Sequence, residues 1–213
     1  MFTPLLSGFY TKRKKSCLTF FVIASLGLIP MQLKALKIDG DINFNKEVAA
    51  LALAMGVPDF AQISKIYPAP EVVIAISEKA KKNDVSIFGA EPYQGLEGSI
   101  NTLADKKGPI ECVGNLDEVS EIQGATYSRI RGWIYNPNDR SSPALIQINS
   151  AGGVVIGYAL VGLKRDDVKH VFGVNALKSG FLGYVKTADI SSSITASSKE
   201  LDCAVTLMLE NKL

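Results

Sequence analysis

The sequence predicts a mainly β protein with some helix: an N-terminal transmembrane helix, a short helical segment, and a small antiparallel β-sandwich of the immunoglobulin-like or jelly-roll-like kind. Three observations lead to this fold class. Apolar and polar residues alternate with period two in the C-terminal half. Helical periodicity precedes that half, and an uncharged run lies near the N-terminus. The predicted divisions are a cytoplasmic tail with the transmembrane helix (1–37), a juxtamembrane helical segment (38–89), a linker (90–108) and the β-sandwich (109–213).

The predicted transmembrane helix is the run from Cys17 to Leu33, which carries no formal charge. Its length is at the lower end of the roughly 17–25 residues that cross a bilayer core. A basic cluster at residues 12–15 precedes it, and the positive-inside rule therefore places the N-terminus in the cytoplasm and the rest of the chain outside. A cleaved signal peptide and a buried soluble helix are the alternatives, although no small-residue cleavage site follows Ile29.

The charge balance changes along the chain. The whole sequence has 23 basic and 21 acidic residues, but residues 1–37 hold six of the basic ones and none of the acidic ones. The remainder is mildly acidic, which disfavours nucleic acid as a partner. No P-loop, glycine-rich dinucleotide motif, nucleophile elbow or metal-ligand spacing occurs. We therefore expect no cofactor, no metal and no catalytic residue in this chain alone.

The helical segment is predicted to contain three helices. Asn45 is expected to cap the first, which ends at Met55, and Asp59 is expected to open the second, which covers Phe60 to Ile66. The third runs from Glu71 to Lys82. Four apolar side chains of this helix fall toward one side and its lysines toward water; the four are Val72, Val73, Ile76 and Ala80. A segment this small is expected to rest on a membrane surface, on the next domain or on another part of a larger protein.

Six or seven short strands follow, as expected for a small antiparallel sandwich or barrel. The strand from Thr126 to Tyr135 places Tyr127, Arg129, Arg131, Trp133 and Tyr135 on one face and its isoleucines on the other. The remaining predicted strands are Ile110–Val119, Ala144–Asn149, Val154–Val161, Phe181–Thr187 and Cys203–Leu209, with a loop at Ser191–Ser198.

Two cysteines, Cys112 and Cys203, flank the strand-rich region. Outside a bacterial inner membrane they are expected to form a disulfide, because such bonds persist in oxidising compartments. Two buried free thiols are the alternative.

Few residues of the predicted sandwich are candidates for binding. Trp133 is the single tryptophan of the chain and can either stack on a sugar ring or belong to the core. Tyr127 and Tyr135 would extend it into an aromatic row. Arg165 and Asp167 can contact a ligand or simply pair with each other across a short turn. The lone His170 cannot build an ordinary zinc site.

Several motifs resemble a C-terminal extracytoplasmic β-domain found at the end of polytopic bacterial inner-membrane proteins. They are G-W-I-Y-N-P-N-D, V-V-I-G-Y-A-L-V-G, R-D-D-V and G-F-L-G-Y-V, with I-Y-P-A-P-E and V-S-I-F-G upstream. Many of those proteins are uncharacterised, and several resemble lipid-linked-sugar glycosyltransferases or polysaccharide-assembly proteins. The catalytic carboxylates of such glycosyltransferases usually lie in early loops between membrane helices, which this chain lacks.

The resemblance implies a membrane-anchored periplasmic domain, non-catalytic, that faces glycan or assists a membrane glycosyltransferase in envelope polysaccharide biosynthesis. Two other hypotheses stay open: a fragment of a glycosyltransferase whose active site lies elsewhere, and an anchored protein-interaction module. The expected partners are the lipid bilayer and a glycan or glycosyltransferase.

Overall fold

The computed structural model describes residues 40, 42–89, 92–102, 112–198 and 203–208. The whole predicted division 1–37, with the cytoplasmic tail and the transmembrane helix, lies outside these residues. Within them, no helix is both long enough and apolar enough to cross a membrane. The chain divides into two units, Met1–Asn43 and Phe44–Leu213, and the fold described below is that of the second.

The strands form one antiparallel sheet in the described part of the chain. Its order is β1-β2-β5-β4-β3-β6-β7, and the mainly antiparallel β fold is thereby confirmed. The strands arise where apolar residues recur at every second position and bury one face. They are β1 Val113–Glu121, β2 Tyr127–Tyr135, β3 Leu145–Asn149, β4 Val155–Leu163, β5 Gly180–Lys186, β6 Ser193–Ser198 and β7 Cys203–Met208.

The two edges of the sheet, β1 and β7, meet, so that the seven strands make one nearly closed, barrel-like sheet instead of two stacked sheets. The predicted disulfide between Cys112 and Cys203 is present at this seam, with 5.5 Å between the two Cα atoms. The backbone N–H of Cys112 also donates to the carbonyl oxygen of Ala204 at 3.3 Å. The disulfide therefore fastens the first strand of the sheet to the last.

Strand β6 lies where the sequence predicts a loop, and that prediction is wrong. Its residues S-I-T-A-S-S are mostly small and polar. Alternate side chains nevertheless point inward, and Ile194 and Ala196 are buried in the core. A strand of this composition is stabilised by its two neighbours, β3 and β7, more than by its own apolar content.

The interior of the sheet is the main hydrophobic core. Ile130 and Ile134 of β2 point into it, as predicted, while Gly132 between them leaves room for the ring of Phe181. A Cβ atom at Gly132 would lie 2.6 Å from that ring, too close for any side chain. The other buried members are Cys112, Leu116, Ile146, Ile148, Ile156, Ala159, Val185, Ile194, Ala196, Cys203 and Leu207.

Helices cover two parts of the outer face of the sheet. The helices of the described residues are α1 (residues 42–54), α2 Phe60–Ile63, α3 Pro70–Lys82, α4 Leu96–Ser99 and α5 Asp166–Phe172, with 3-10 turns at Ser86–Gly89, Val174–Lys178 and Thr187–Asp189. Helices α1 and α4 pack on β4 and β5, and α4 forms inside the predicted linker. Helix α5 packs over the end of β2.

The helical segment differs from its prediction in two ways. Helix α1 already includes residues 42–44, so Asn45 is not its cap; the Asn45 side chain accepts a hydrogen bond from Gln62 Nε2 at 2.9 Å. The apolar side of α3 is not its buried side, since Val72 is 49% and Ile76 61% exposed. By contrast, Asp59 opens α2 as predicted, with its side chain accepting from the backbone N–H of Gln62.

Candidate functional site

The outer face of β2 carries the five alternating side chains that the sequence placed on one face. Tyr127 and Arg129 lie at the start of the strand, Arg131 in the middle, and Trp133 and Tyr135 at the end. Different elements pack on the two ends. The start lies beside the helical segment and the end beside α5. The face therefore has two separate environments.

At the start of the strand, Arg129 belongs to a buried cluster around Asp59. The Asp59 carboxylate is 1% exposed and accepts from Arg129 Nε at 2.9 Å and Arg129 Nη2 at 2.6 Å. It also accepts from the Tyr184 hydroxyl at 2.9 Å and from the Gln62 backbone N–H at 3.0 Å. We call these four residues, Asp59, Gln62, Arg129 and Tyr184, the Asp59 cluster. It joins α2 to strands β2 and β5.

Electrostatics in the Asp59 cluster favour one fixed protonation state. Burial and the neighbouring Asp59 charge raise the pKa of Tyr184 far above its usual range. The hydrogen bonds that Arg129 donates to Asp59 raise the pKa of Arg129. The carboxylate already accepts four hydrogen bonds, which fills its capacity. The cluster is therefore a structural fastening, with no free acceptor for a ligand.

At the other end of β2, helix α5 covers the aromatic residues. Tyr135 is 1% exposed, and its ring centroid lies 5.5 Å from that of Phe172. Trp133 is half-buried and lies 6.0 Å from the same ring. Tyr127 packs instead against the cluster under α1. The three aromatic side chains therefore do not form one solvent-facing row: Tyr135 is buried, and the half-buried Tyr127 and Trp133 lie at opposite ends of the strand.

Polar side chains near Trp133 surround a β-bulge in β1. The register with β2 shifts between Leu116 and Glu118, which leaves Asp117 as the extra residue. Bulges re-aim side chains and recur beside functional sites. The Asp117 carboxylate contacts Arg165 Nη1 and accepts from Asn115 Nδ2 at 3.3 Å. The bulge therefore turns an acidic side chain toward the end of β4, where Arg165 follows.

Arg165 is held by two carboxylates. Its Nε and Nη2 donate to the two oxygens of Asp167 at 2.9 and 2.6 Å, and Nη1 donates to Asp117. The predicted pairing of Arg165 with Asp167 is thus present. The hydrogen bonds from Arg165 hold the pKa of Asp167 well below its usual range, and the same pairing raises the pKa of Arg165. Both charges are fixed at neutral pH.

The register of the strands places Trp133 near Arg165 on the outer face of the sheet. Trp133 lies opposite Asn115 of β1 on one side and opposite Gly180 of β5 on the other, and paired residues share a sheet face. A Cβ atom at Gly180 would lie 3.0 Å from Cγ of Arg165. The stem of Arg165 therefore covers Gly180, directly beside the Trp133 ring.

Glu118 and Arg131 complete the surface, since they face each other across β1 and β2. Together with Asp117 and Arg165 they line a shallow, open depression. We call the whole surface, with the Asp167 partner of Arg165, the bulge patch; its residues are Asn115, Asp117, Glu118, Arg131, Trp133, Arg165 and Asp167.

The chemistry of the bulge patch is that of hydrogen bonding. Its carboxylates accept, its guanidinium groups donate, and Asn115 can do both. In the described part of the chain, no group of three His, Cys, Asp or Glu side chains is arranged to hold a metal ion. His170 is exposed on α5 and lies outside the patch.

Of the sequence-predicted residues, the structure pairs Arg165 with Asp167 and packs Trp133 and Tyr135 against the same Phe172 ring. Tyr127 lies at the other end of β2. Sequence reasoning missed Asn115, Asp117, Glu118 and Arg131. The signal available was the pair of acidic residues inside an otherwise alternating strand, V-G-N-L-D-E-V, since such a break in period marks a bulge.

The fold and this surface define a class: a small, disulfide-fastened antiparallel β domain with a polar patch beside one half-buried tryptophan. No protein-family model, characterised protein or solved structure matches the chain. The function is therefore argued from the chemistry of the patch itself.

Proposed function

We propose that this protein is a non-catalytic accessory domain that binds a neutral glycan at the bulge patch and is anchored in a bacterial inner membrane by residues 17–33, with its β domain in the periplasm. The proposal depends on one observation: the half-buried Trp133 lies opposite Asn115 and two positions from Arg131, and Arg131 lines the depression with Asp117, Glu118 and Arg165. The resemblance to polysaccharide-assembly proteins supports the same role in envelope polysaccharide biosynthesis.

A sugar ring suits the bulge patch because the ring is apolar on its C–H face and polar at its hydroxyl groups. Its C–H face is apolar and packs on an indole ring, while its hydroxyls both donate and accept. Carboxylates such as Asp117 and Glu118 accept from hydroxyl groups, and Arg131 donates to hydroxyl oxygens. In the described residues no ion pair occupies Arg131, so its donors are available to a ligand.

The charge of the patch favours a neutral ligand. Two arginines, Arg131 and Arg165, lie among three carboxylates, those of Asp117, Glu118 and Asp167. An anionic ligand would meet a slightly negative surface, and a cation would meet the two guanidinium groups. An uncharged oligosaccharide avoids both costs.

The location rests on two further observations. The Cys112–Cys203 disulfide is buried at the seam of the sheet, and structural disulfides persist in oxidising compartments such as the periplasm. The basic cluster ahead of residues 17–33 favours a cytoplasmic N-terminus.

Fractionation of the producing cells, with an antibody to residues 112–198, tests the anchor. We expect a membrane-bound band, and a soluble band would contradict the anchor.

Glycan binding can be measured through Trp133 itself, since the chain has a single tryptophan. The full chain in detergent micelles is titrated with neutral oligosaccharides of glucose, galactose, mannose and N-acetylglucosamine. We expect at least one to change the fluorescence of Trp133 in a saturable way. Arg131→Ala should then weaken the apparent affinity by about 10-fold, as the loss of a hydrogen bond or two from a charged donor does.

The matched control is Tyr67→Ala, which truncates an exposed aromatic residue of the helical segment and should leave the titration unchanged. No fluorescence change at millimolar concentrations of every oligosaccharide, in a protein with native circular dichroism, would overturn glycan binding at this patch. If Arg131→Ala and Tyr67→Ala weaken the apparent affinity equally, Arg131 does not contact the glycan.

A further inference from the structure

Helix α3 carries an apolar stripe that the domain does not cover. Val72 and Ile76 are largely exposed, and Val73 and Ala80 are half-buried. At 3.6 residues per turn these four side chains lie within an arc of about 100°. The helix packs on the domain through a different side, where Ile74, Ser77 and Lys81 border a groove with Leu53 and Phe88. Among the described residues the stripe is therefore formed but without a packing partner.

Other exposed apolar side chains lie in the same stretch of chain. Phe60, Tyr67 and Val85 are exposed as well, so five of the nine exposed large hydrophobic side chains of the described residues fall between residues 60 and 85. Single exposed apolar residues are ordinary, but a concentration of them marks an interaction surface. By contrast, α1 buries Val48 and Leu51 completely.

The charges on α3 indicate what covers the stripe. Lys79 lies about 20° from Val72 around the helix and Lys82 about 80°, whereas Glu71 and Glu78 lie about 100° and 120° away. Both lysines are exposed. Lys79 therefore borders the stripe, Lys82 lies between Lys79 and the two glutamates, and both glutamates lie on the far side of the helix from the stripe. An apolar stripe with lysines at its edge is the pattern of a helix that lies in the interface of an anionic bilayer.

We propose that α3 lies on the membrane surface, with Val72 and Ile76 in the headgroup region and Lys79 and Lys82 against anionic lipid phosphates. The proposal rests on the membrane location proposed above and adds a second contact with the bilayer. Because α3 and the bulge patch belong to the same compact unit, this contact fixes the orientation of the glycan surface relative to the membrane.

The test places a tryptophan on the stripe. Full-length protein carrying Trp133→Phe and Ile76→Trp is reconstituted into vesicles of phosphatidylethanolamine and phosphatidylglycerol whose acyl chains are brominated. Bromine quenches only tryptophan that enters the bilayer. The control carries Trp133→Phe and Glu78→Trp, which puts the tryptophan at an exposed position on the other side of the same helix. Native circular dichroism is required of both.

We expect the tryptophan at position 76 to lose at least twice the fraction of its fluorescence that the one at position 78 loses. Adding Lys79→Glu and Lys82→Glu should reduce that difference. Equal quenching at the two positions in protein that floats with the vesicles would overturn the α3 contact while the anchor stands; strong quenching of position 76 by aqueous acrylamide would do the same. Protein that does not float at all would overturn the anchor and the α3 contact together.

Discussion

The outer face of the sheet carries two arginine–carboxylate groups of similar chemistry and different environment. In the Asp59 cluster the carboxylate is 1% exposed, and Tyr184 and Gln62 complete its hydrogen bonds. In the bulge patch Arg165 pairs with Asp167, which is 65% exposed, and with Asp117, which is 33% exposed. Both groups join distant parts of the chain, yet only the second leaves polar atoms within reach of a ligand.

The difference shows that burial, more than pairing, decides what an ion pair does. Removing one partner of a buried pair leaves an uncompensated charge in a low-dielectric site, which is strongly destabilising. An exposed pair is screened by water and contributes little to stability. A group of the second kind can therefore exchange its partners for those of a ligand at small cost, whereas the Asp59 cluster cannot.

The largest expected effect follows from Asp59→Ala. The substitution leaves Arg129 and the Tyr184 hydroxyl without their acceptor and removes the cap of α2. We expect the free energy of unfolding to fall by about 3–5 kcal/mol, as for other broken buried pairs. Urea denaturation followed by circular dichroism measures it. Asp167→Ala is the matched control in the bulge patch, and a loss as large as that of Asp59→Ala would contradict the comparison.

The second-largest expected effect comes from removing the disulfide that joins β1 and β7 near the bulge patch. Replacing Cys112 and Cys203 by serine together removes the bond that fastens β1 to β7. We expect about 2–5 kcal/mol less stability. Cys112 directly precedes β1 and stands three positions before Asn115, so amide hydrogen exchange should accelerate more in β1 than in α2. Equal acceleration in both elements would show that the patch and the cluster unfold together. Cys17→Ser serves as the control for a changed cysteine.

Much of the sheet could be predicted from sequence. The alternation in β2 predicts both its faces, and the expected location outside the membrane favours the pairing of Cys112 with Cys203. The polar strand β6 could not be recognised, because its burial depends on neighbours that sequence does not place beside it.

The sequence predicted the pair of Arg165 with Asp167 but not the pair of Asp59 with Arg129, and the reason is physical. Arg165 and Asp167 are two positions apart, so their contact is a local matter. Asp59 is 70 positions from Arg129 and 125 from Tyr184, and only the folded sheet brings them together. The bulge at Asp117 likewise depends on the register between β1 and β2. The direction of the stripe on α3 depends on which side of the helix meets the domain.

A smaller effect should come from Tyr184→Phe, which removes one hydrogen bond to a charged acceptor and keeps the ring. We expect a loss of about 1.5–3 kcal/mol. Burial raises the pKa of Tyr184 in the folded protein, so the stabilisation is complete below the unfolded tyrosine pKa of about 10 and is lost as the pH rises above it. Urea midpoints between pH 8 and 11 should therefore fall less steeply in Tyr184→Phe than in the wild type.

The control for that pH dependence is Tyr67→Phe, which changes an exposed tyrosine and should retain the wild-type slope. If Tyr184→Phe and the wild type lose stability in parallel above pH 10, the Tyr184 hydroxyl is not held by Asp59 in solution.

The smallest expected effect concerns Asp167, whose pKa lies below its ordinary value of about 3.9 because Arg165 donates two hydrogen bonds to it. The contribution of this pair to stability is present above about pH 4 and declines as the pH falls toward the folded pKa. Asp167→Asn should therefore change the urea midpoint slightly at pH 7 and by less near pH 2. Nuclear magnetic resonance titration of the carboxyl carbons would measure the pKa directly. A normal pKa for Asp167 would mean that Asp117 alone holds Arg165 in solution, and the donors of Arg165 that Asp167 no longer occupies would then favour an anionic ligand over a neutral one.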